Sequence, residues 1–361
     1  RTAFRSDHLP LVVGFYNFTG RNSMAGKLVA GAGEAETIMN IFVLSILLAA
    51  PLLLNAADIL PVSKPAAPAA QAQPEKTSDP AGLPGYCIFG AQSGKPFDSE
   101  AAFKSVVWKS DVVYVGETHD RIKDHLAQLE ALKAMKIARG SKIAVGFEML
   151  NVTMQPALDD YAAGRLTEEE FLAGTDWKKE WSVEFSLYKP LFDFIVGNTL
   201  RALALNVPKK IIAKIARVGL AGLDDEDKKF LPEPLNITKH KKYLDYLKAS
   251  FSGHGDNLAD KMVSWDNYLA SMSAWNEGMG SRVADFINAN PGWAVLVVAA
   301  NGHVIYNAAI PASVKSRTKN IRQASFYTVD AAKCPALFPK ADKDLANYIC
   351  YIAHGGKPVK E

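Results

Sequence analysis

The chain predicts an α/β fold, with a mainly parallel sheet flanked by helices and a helical insertion or subdomain. Three observations lead there. Short runs rich in β-branched residues recur along residues 86–330. The first four are nearly continuous in apolar character, as strands covered on both faces are. Helical patterns lie between them, and strands alternating with helices build parallel sheets.

Before the folded part, residues 1–38 show no periodicity. The apolar run from Met39 to Ala57 is short for a membrane span and ends in small residues. It is expected to be an export signal cut near Ala56 or Ala57, with Met39 as a candidate start and residues 1–57 as extension plus signal. A membrane anchor or a buried helix is the alternative. No Cys follows the run closely, so a lipid-modified Cys is not expected. Residues 58–85 are rich in Pro, Ala, Gln, Ser and Lys, a composition that buries too little apolar surface to order itself, and read as a tether. The α/β domain is expected over 86–330, with 208–290 as its helical insertion and 331–361 as a C-terminal tail.

Within the domain, Val112–Val115, Ile143–Phe147, Ala202–Leu205 and Ala294–Ala299 are the predicted strands, with Ala324–Val329 a weaker fifth. Ile122, Leu126, Leu129 and Leu132 keep helical steps. So do Met262, Trp265, Leu269, Met272 and Met279, with one missed turn at Asn276. Thr167 followed by Glu170 has the pattern of a capping box. Trp177, Trp181, Phe185, Tyr188 and Phe192 form an aromatic stripe. It is either core or one wall, with Tyr188, Trp177 and Trp181 its cofactor-binding candidates, of a site for a large flat ligand such as a porphyrin.

Composition sets limits. The chain is 48% hydrophobic, enough for a large core. Its 41 basic and 38 acidic residues nearly balance, and no basic stripe interleaves with aromatics, so no nucleic-acid partner is expected. The three cysteines are Cys87, Cys334 and Cys350. In an exported chain one disulfide is expected, and Cys334–Cys350 is favoured because both lie in the tail. No CxxC or CxxCH occurs, which argues against a zinc ribbon and against covalent c-type haem attachment.

The strand ends hold the chemistry. The first ends in Gly116-Glu117-Thr118-His119, the second in Phe147-Glu148-Met149, the third in Asn206-Val207-Pro208 and the fourth in Asn301-Gly302-His303. In a parallel sheet these ends share one edge, where α/β proteins bind ligands. Glu117, His119, Glu148 and His303 are the catalytic candidates, as acid/base groups. The same four are the alternative ligands for a divalent metal such as zinc or iron. A satisfied hydrogen-bond network is the structural alternative. His125, Asn206 and Asn301 are candidates for supporting contacts, although His125 also fits an ordinary helix histidine. The helix after Asp120 offers free N–H groups to an anionic group unless Asp120 caps them. Tyr114, Tyr161, Tyr188, Tyr243 and Tyr306 are each possible phenolate ligands for iron. His254 lies in a Gly-flanked segment that reads as a surface loop, with a haem or metal ligand as the alternative, and His240 and His354 have polar surroundings.

GETHD, DHLAQ, VGFEML with Gln155, LDDYAAGRLTEEEFL, the Trp177/Trp181/Tyr188 segment, LALNVPKKI with ARVGL, and NGHVIYNAAIP follow in this order. Together they resemble the ChaN-like family of exported, iron-regulated haem-uptake proteins, within the erythromycin esterase, Tiki and TraB superfamily. The resemblance runs from about Asp111 to Arg317. It implies a periplasmic or envelope protein that binds haem, with an outer-membrane haem receptor as partner and a homodimer as assembly. It places Glu117, His119, Glu148 and His303 at the superfamily's active-site positions, so that if the chain is an enzyme it is a hydrolase. Family members often have an acidic residue where this chain has Asn276, which puts one polar contact in doubt.

Overall fold

In a computed structural model, residues 86–253 and 263–353 are described. The signal-like run, the 58–85 tether, Met262, His254 and His354 lie outside the described residues. Among the described residues the strands are β1 (Tyr86–Gly90), β2 (Lys95–Pro96), β3 (Val112–Glu117), β4 (Ile143–Asn151), β5 (Arg201–Asn206), β6 (Ala294–Ala300), β7 (Gln323–Asp330) and β8 (Tyr348–Ile352). They form one sheet in the order β2-β1-β8-β7-β3-β6-β4-β5. Every pairing from β8 to β5 is parallel, and β1 and β2 pair antiparallel at one edge. The five expected strands are present. The expected tail residues supply a further one, β8, set between β1 and β7.

The apolar runs are continuous because each face of the sheet has its own core. Val113, Val115, Val145, Phe147, Leu296 and Val298 point to one face. There they meet α1 (Glu100–Lys109), α2 (Ile122–Arg139), α3 (Gln155–Ala162), α4 (Glu168–Gly174), α5 (Trp177–Glu180) and α6 (Phe185–Gly197). Val112, Tyr114, Ala144, Val295 and Val297 alternate to the other face. After β5 come α7 (Lys209–Val218), α8 (Asp225–Lys228), α9 (Lys241–Gly253) and α10 (Trp265–Ala289), and α11 (Ile310–Arg317) follows β6. Helix α10 covers the second face through Met279, Val283 and Ile287, beside Val314 of α11. No helix among the described residues is long and apolar enough to cross a membrane.

Local signals explain the element ends. Thr167 and Glu170 close a reciprocal capping box at α4. At α2 the cap position is Arg121, with no side-chain bond, so Asp120 is not the cap. Asp124 instead reaches back from the first turn and accepts from the Thr118 N–H at 2.8 Å.

The disulfide departs from expectation: Cys87 pairs with Cys334, and Cys350 is a buried free thiol. The reason is the pleat. Cys350 points to the face packed by α1 and α2, whereas Cys87 and Cys334 share the opposite face. The sheet itself separates Cys350 from Cys334.

Gly116 lies one residue before the end of β3. A Cβ there would sit 2.2 Å from Asn301 Oδ1. That amide is held by Thr328, whose main-chain O accepts from Nδ2 at 3.0 Å and whose N–H donates to Oδ1 at 3.1 Å. Gly116→Ala is therefore expected to destabilise by about 1–3 kcal/mol. Gly197→Ala, where a Cβ meets nothing within 4 Å, is expected to cost nothing. Urea unfolding midpoints of the two variants check this, and equal midpoints would contradict the packing described.

Candidate functional site

Parallel pairing brings the ends of β3, β4, β5 and β6 to one edge. Glu117 is the last residue of β3, in register with Ala300, the last residue of β6. On β4 the register with β5 shifts between Phe147 and Asn151. Such an irregularity re-aims side chains, and Glu148 lies within it. Its Oε2 accepts from the Ala300 N–H at 2.6 Å, tying the ends of β4 and β6 together.

Glu117 is 2% exposed, and its carboxylate is surrounded by donors. Oε1 accepts from the Tyr188 hydroxyl at 2.8 Å and from His119 Nδ1 at 2.9 Å. Oε2 accepts from Gln128 Nε2 at 2.7 Å, and His125 Nδ1 lies 3.3 Å away. Gln128 Nε2 also donates to the Val115 carbonyl at 3.1 Å, which fixes the amide orientation. Gln128 Oε1 then faces His125 Nδ1 at 3.2 Å, while His125 Nε2 meets the His119 carbonyl at 3.0 Å. Both ring nitrogens of His125 thus face acceptors, which suits an imidazolium.

The electrostatics follow from that arrangement. Burial by itself would raise the Glu117 pKa, but the His125 charge and the imidazole hydrogen bonds hold it well below the ordinary carboxylate value. Burial would lower that of His125, but the Glu117 charge and hydrogen bond push it up to about 9. Burial and the Glu117 charge push the Tyr188 phenol well above its ordinary value. His119 is raised: burial opposes this, while the Glu117 hydrogen bond and the Glu148 charge favour the protonated ring.

Around Glu148 a second unit assembles. His303 Nε2 lies 3.2 Å from Glu148 Oε1, and His303 Nδ1 lies 2.7 Å from Asn276 Oδ1. Asn276 Nδ2 donates to the Tyr243 hydroxyl at 2.9 Å, and that hydroxyl donates to the Gly302 carbonyl at 3.2 Å. This order of donors leaves Asn276 Oδ1 as an acceptor, so the Nδ1 of His303 carries a proton. Burial would raise Glu148, but the charge and hydrogen bond of His303 hold it below its ordinary value.

The four catalytic candidates therefore gather at one edge as two Glu–His pairs, coupled electrostatically through His119 and Glu148. Among the described residues no three His, Cys, Asp or Glu side chains are placed to hold a metal ion, so the metal alternative gains no support from the geometry. Asn206 and Asn301 bond mainly to backbone: Asn206 Nδ2 donates to the Glu148 carbonyl at 2.7 Å, and Asn301 pairs with Thr328. Trp177 is buried, its Nε1 donating to the Val183 carbonyl at 2.7 Å. Trp181 Nε1 donates to the Tyr188 hydroxyl at 3.1 Å, and its ring meets His119 edge-on with centroids 4.6 Å apart. The hydroxyl of Tyr188 is thus engaged on both sides. Tyr114, Tyr161 and Tyr243 are buried, and Tyr306 is half-buried.

Two residues escaped the sequence-based site list. Gln128 left only its spacing, one turn from His125. Asn276 left a clearer mark as the missed turn in the α10 apolar pattern. The contact in doubt there is made, by an amide.

A family model described as haem-binding uptake, Tiki superfamily, ChaN matches residues 105–314. The chain belongs to this family. The ChaN resemblance of the motifs and the α/β fold class are both borne out. Among solved structures, one titled as cofacial haem binding to ChaN of Campylobacter jejuni matches at 17% identity with a TM-score of 0.56, covering 73% of this chain and 96% of that one. At that identity it shows the shared fold. An erythromycin esterase mutant in its open conformation matches at 12% identity and a TM-score of 0.42, covering 71% of this chain and 94% of that one. No curated protein matches the chain.

The Glu117–His125 pair of this ChaN-family chain sets a pH dependence. His125 titrates near 9 in the folded chain and near 6.5 unfolded, so its contribution to stability is fully present below about pH 6.5 and is lost as pH rises through about 9. The expected size is a few kcal/mol. His125→Gln should be less stable than the wild type at pH 6.5 and should lose less stability between pH 6.5 and 9.5. Parallel losses in urea unfolding would remove the ion pair.

Proposed function

We propose that the chain binds haem for uptake, with His119 as the iron ligand. Family membership supports haem as the ligand. The observation that supports His119 is its ring orientation. Nδ1 donates to Glu117, so Nε2, for which no partner is found among the described residues, is the nitrogen that would give up its proton to bind iron. The side chain is 19% exposed, unlike the buried His125. A carboxylate on the far nitrogen makes an imidazole a more basic ligand. The donor set fits haem iron. Ile122 and Leu126, exposed apolar residues one turn apart on α2, begin three residues after His119 and offer apolar surface for a porphyrin. Trp181, buried against the His119 ring, would hold that ring in place rather than form a wall, and Tyr188 would hold Glu117. Haem is here cargo, and the chain's residues bind and orient it.

In this proposal the apolar run at 39–57 directs export, the chain works in the periplasm or envelope as a homodimer, and haem arrives from an outer-membrane receptor. The cofacial haem of the Campylobacter jejuni relative supports haem as the cargo.

A second reading, hydrolysis, is favoured by one observation: Asn276 fixes the proton of His303 on Nδ1 and turns Nε2 towards Glu148. That pair would move a proton to or from water. Glu148→Gln separates the readings, since it should abolish turnover and leave haem affinity unchanged.

Titration of the full chain with haemin is expected to give a saturable, stoichiometric Soret shift. His119→Ala should weaken binding at least tenfold and change the spectrum. The absence of a saturable shift would sink the haem reading. An unaltered spectrum and affinity in His119→Ala would remove His119 as the ligand.

A further inference from the structure

A further buried carboxylate lies outside both Glu–His pairs. Asp124, in the first turn of α2, is 1% exposed. A buried carboxylate must be met by donors, and its donors show where it acts. Asp124 Oδ2 accepts from the Thr118 N–H at 2.8 Å, and the Thr328 hydroxyl lies 3.2 Å from the same oxygen. Thr328 Oγ1 also lies 3.1 Å from the Gly116 carbonyl and accepts from Asn301 Nδ2 at 3.0 Å. Groups from β3, α2, β7 and the loop after β6 thus meet in one buried joint.

The joint adjoins His119. The peptide that Asp124 holds links Glu117 to Thr118, and Glu117 is the residue to which His119 Nδ1 donates. Other backbone groups of this loop are held as well. The Thr118 carbonyl accepts from the Arg121 N–H at 3.0 Å, and the Arg121 carbonyl accepts from the Asp124 N–H at 3.0 Å. The His119 carbonyl meets His125 Nε2 at 3.0 Å. The backbone is therefore tied to the first turn of α2 on both sides of the His119 ring, by Asp124 before it and by His125 after it.

An ionised carboxylate only accepts hydrogen bonds. With Asp124 in place, the Glu117–Thr118 peptide must aim its N–H at α2. The flipped peptide would set the Glu117 carbonyl against the carboxylate, acceptor against acceptor. The plane of that peptide fixes the direction in which the chain leaves β3, and so whether the His119 ring meets Glu117 and Trp181.

We propose that Asp124 is a positioning residue for haem binding, which fixes the peptide before His119 so that the ring bonds to Glu117 and presents Nε2 at the ligand edge. The proposal rests on the haem reading above for its ligand, and on the joint for its geometry.

The test has two arms, both on the full chain. In the ligand-free protein, NMR reads the His119 ring protons, which the Trp181 ring current shifts because the two rings lie 4.6 Å apart between centroids. Asp124→Ala should move these signals towards those of an exposed histidine. Asp124→Asn keeps an oxygen for both donors and should retain them. In the second arm, haemin affinity should fall at least tenfold in Asp124→Ala and be unchanged in Asp124→Asn. Thr328→Val removes one donor to Asp124 and keeps the side-chain volume, so it should move the His119 signals in the same direction by less. It decides the first arm if circular dichroism shows that Asp124→Ala does not fold. Unmoved His119 signals in the deciding variant overturn the proposal, as does unchanged haemin affinity in a folded Asp124→Ala. A wild type that binds no haemin overturns the haem reading, and the NMR arm then still decides whether Asp124 positions His119.

Discussion

A carboxylate at the end of a buried central strand must be supplied with donors or lose its charge. Glu117 is in that position, and much of the site is the answer to it. Four side chains from three elements converge on its two oxygens: His119 from the loop, His125 and Gln128 from α2, and Tyr188 from α6. Three of these donors are then held by something else. Gln128 is pinned by the Val115 carbonyl, Tyr188 by the Trp181 indole, and His125 by the His119 carbonyl. Helices α2 and α6 are thus fixed against the end of β3 by polar bonds as well as by apolar packing.

The two Glu–His pairs are not equivalent. Glu117 has a charged, buried partner in His125, which satisfies it permanently at neutral pH and leaves His119 as the group with a nitrogen to offer. Glu148 has one histidine and one backbone N–H, and its histidine is oriented by a neutral amide. An amide fixes a tautomer without adding negative charge, so it sets direction more than basicity. The division gives one pair suited to holding a ligand and the other to holding or moving a proton.

Backbone geometry makes this possible through close approach. Gly116 leaves the space into which Asn301 fits, and Asn301 in turn bonds to Thr328 across the strand end. The register shift in β4 turns Glu148 towards Ala300 where a regular pleat would continue the strand pairing. These are the small departures from regularity that distinguish the ligand edge of the sheet from its other edge.

The sequence by itself determined the five parallel strands, the α/β class and the convergence of four polar strand ends. Continuous apolar runs and parallel pairing leave few alternatives, and a strand's last residue must lie at the sheet edge. It also marked Asn276, as a gap in an apolar helical stripe. Only the tertiary structure decided which donors serve which carboxylate, because Glu117 draws on Tyr188, 71 residues away, and on Gln128. The short strands β1, β2 and β8 had little pattern to read, being an edge pair and a strand from the expected tail. The disulfide was likewise a tertiary matter: nearness in sequence favoured Cys334 and Cys350, but the pleat put a sheet between them. Local periodicity records which face a residue takes. It does not record which distant residue meets it there, since that depends on how the helices settle on the sheet.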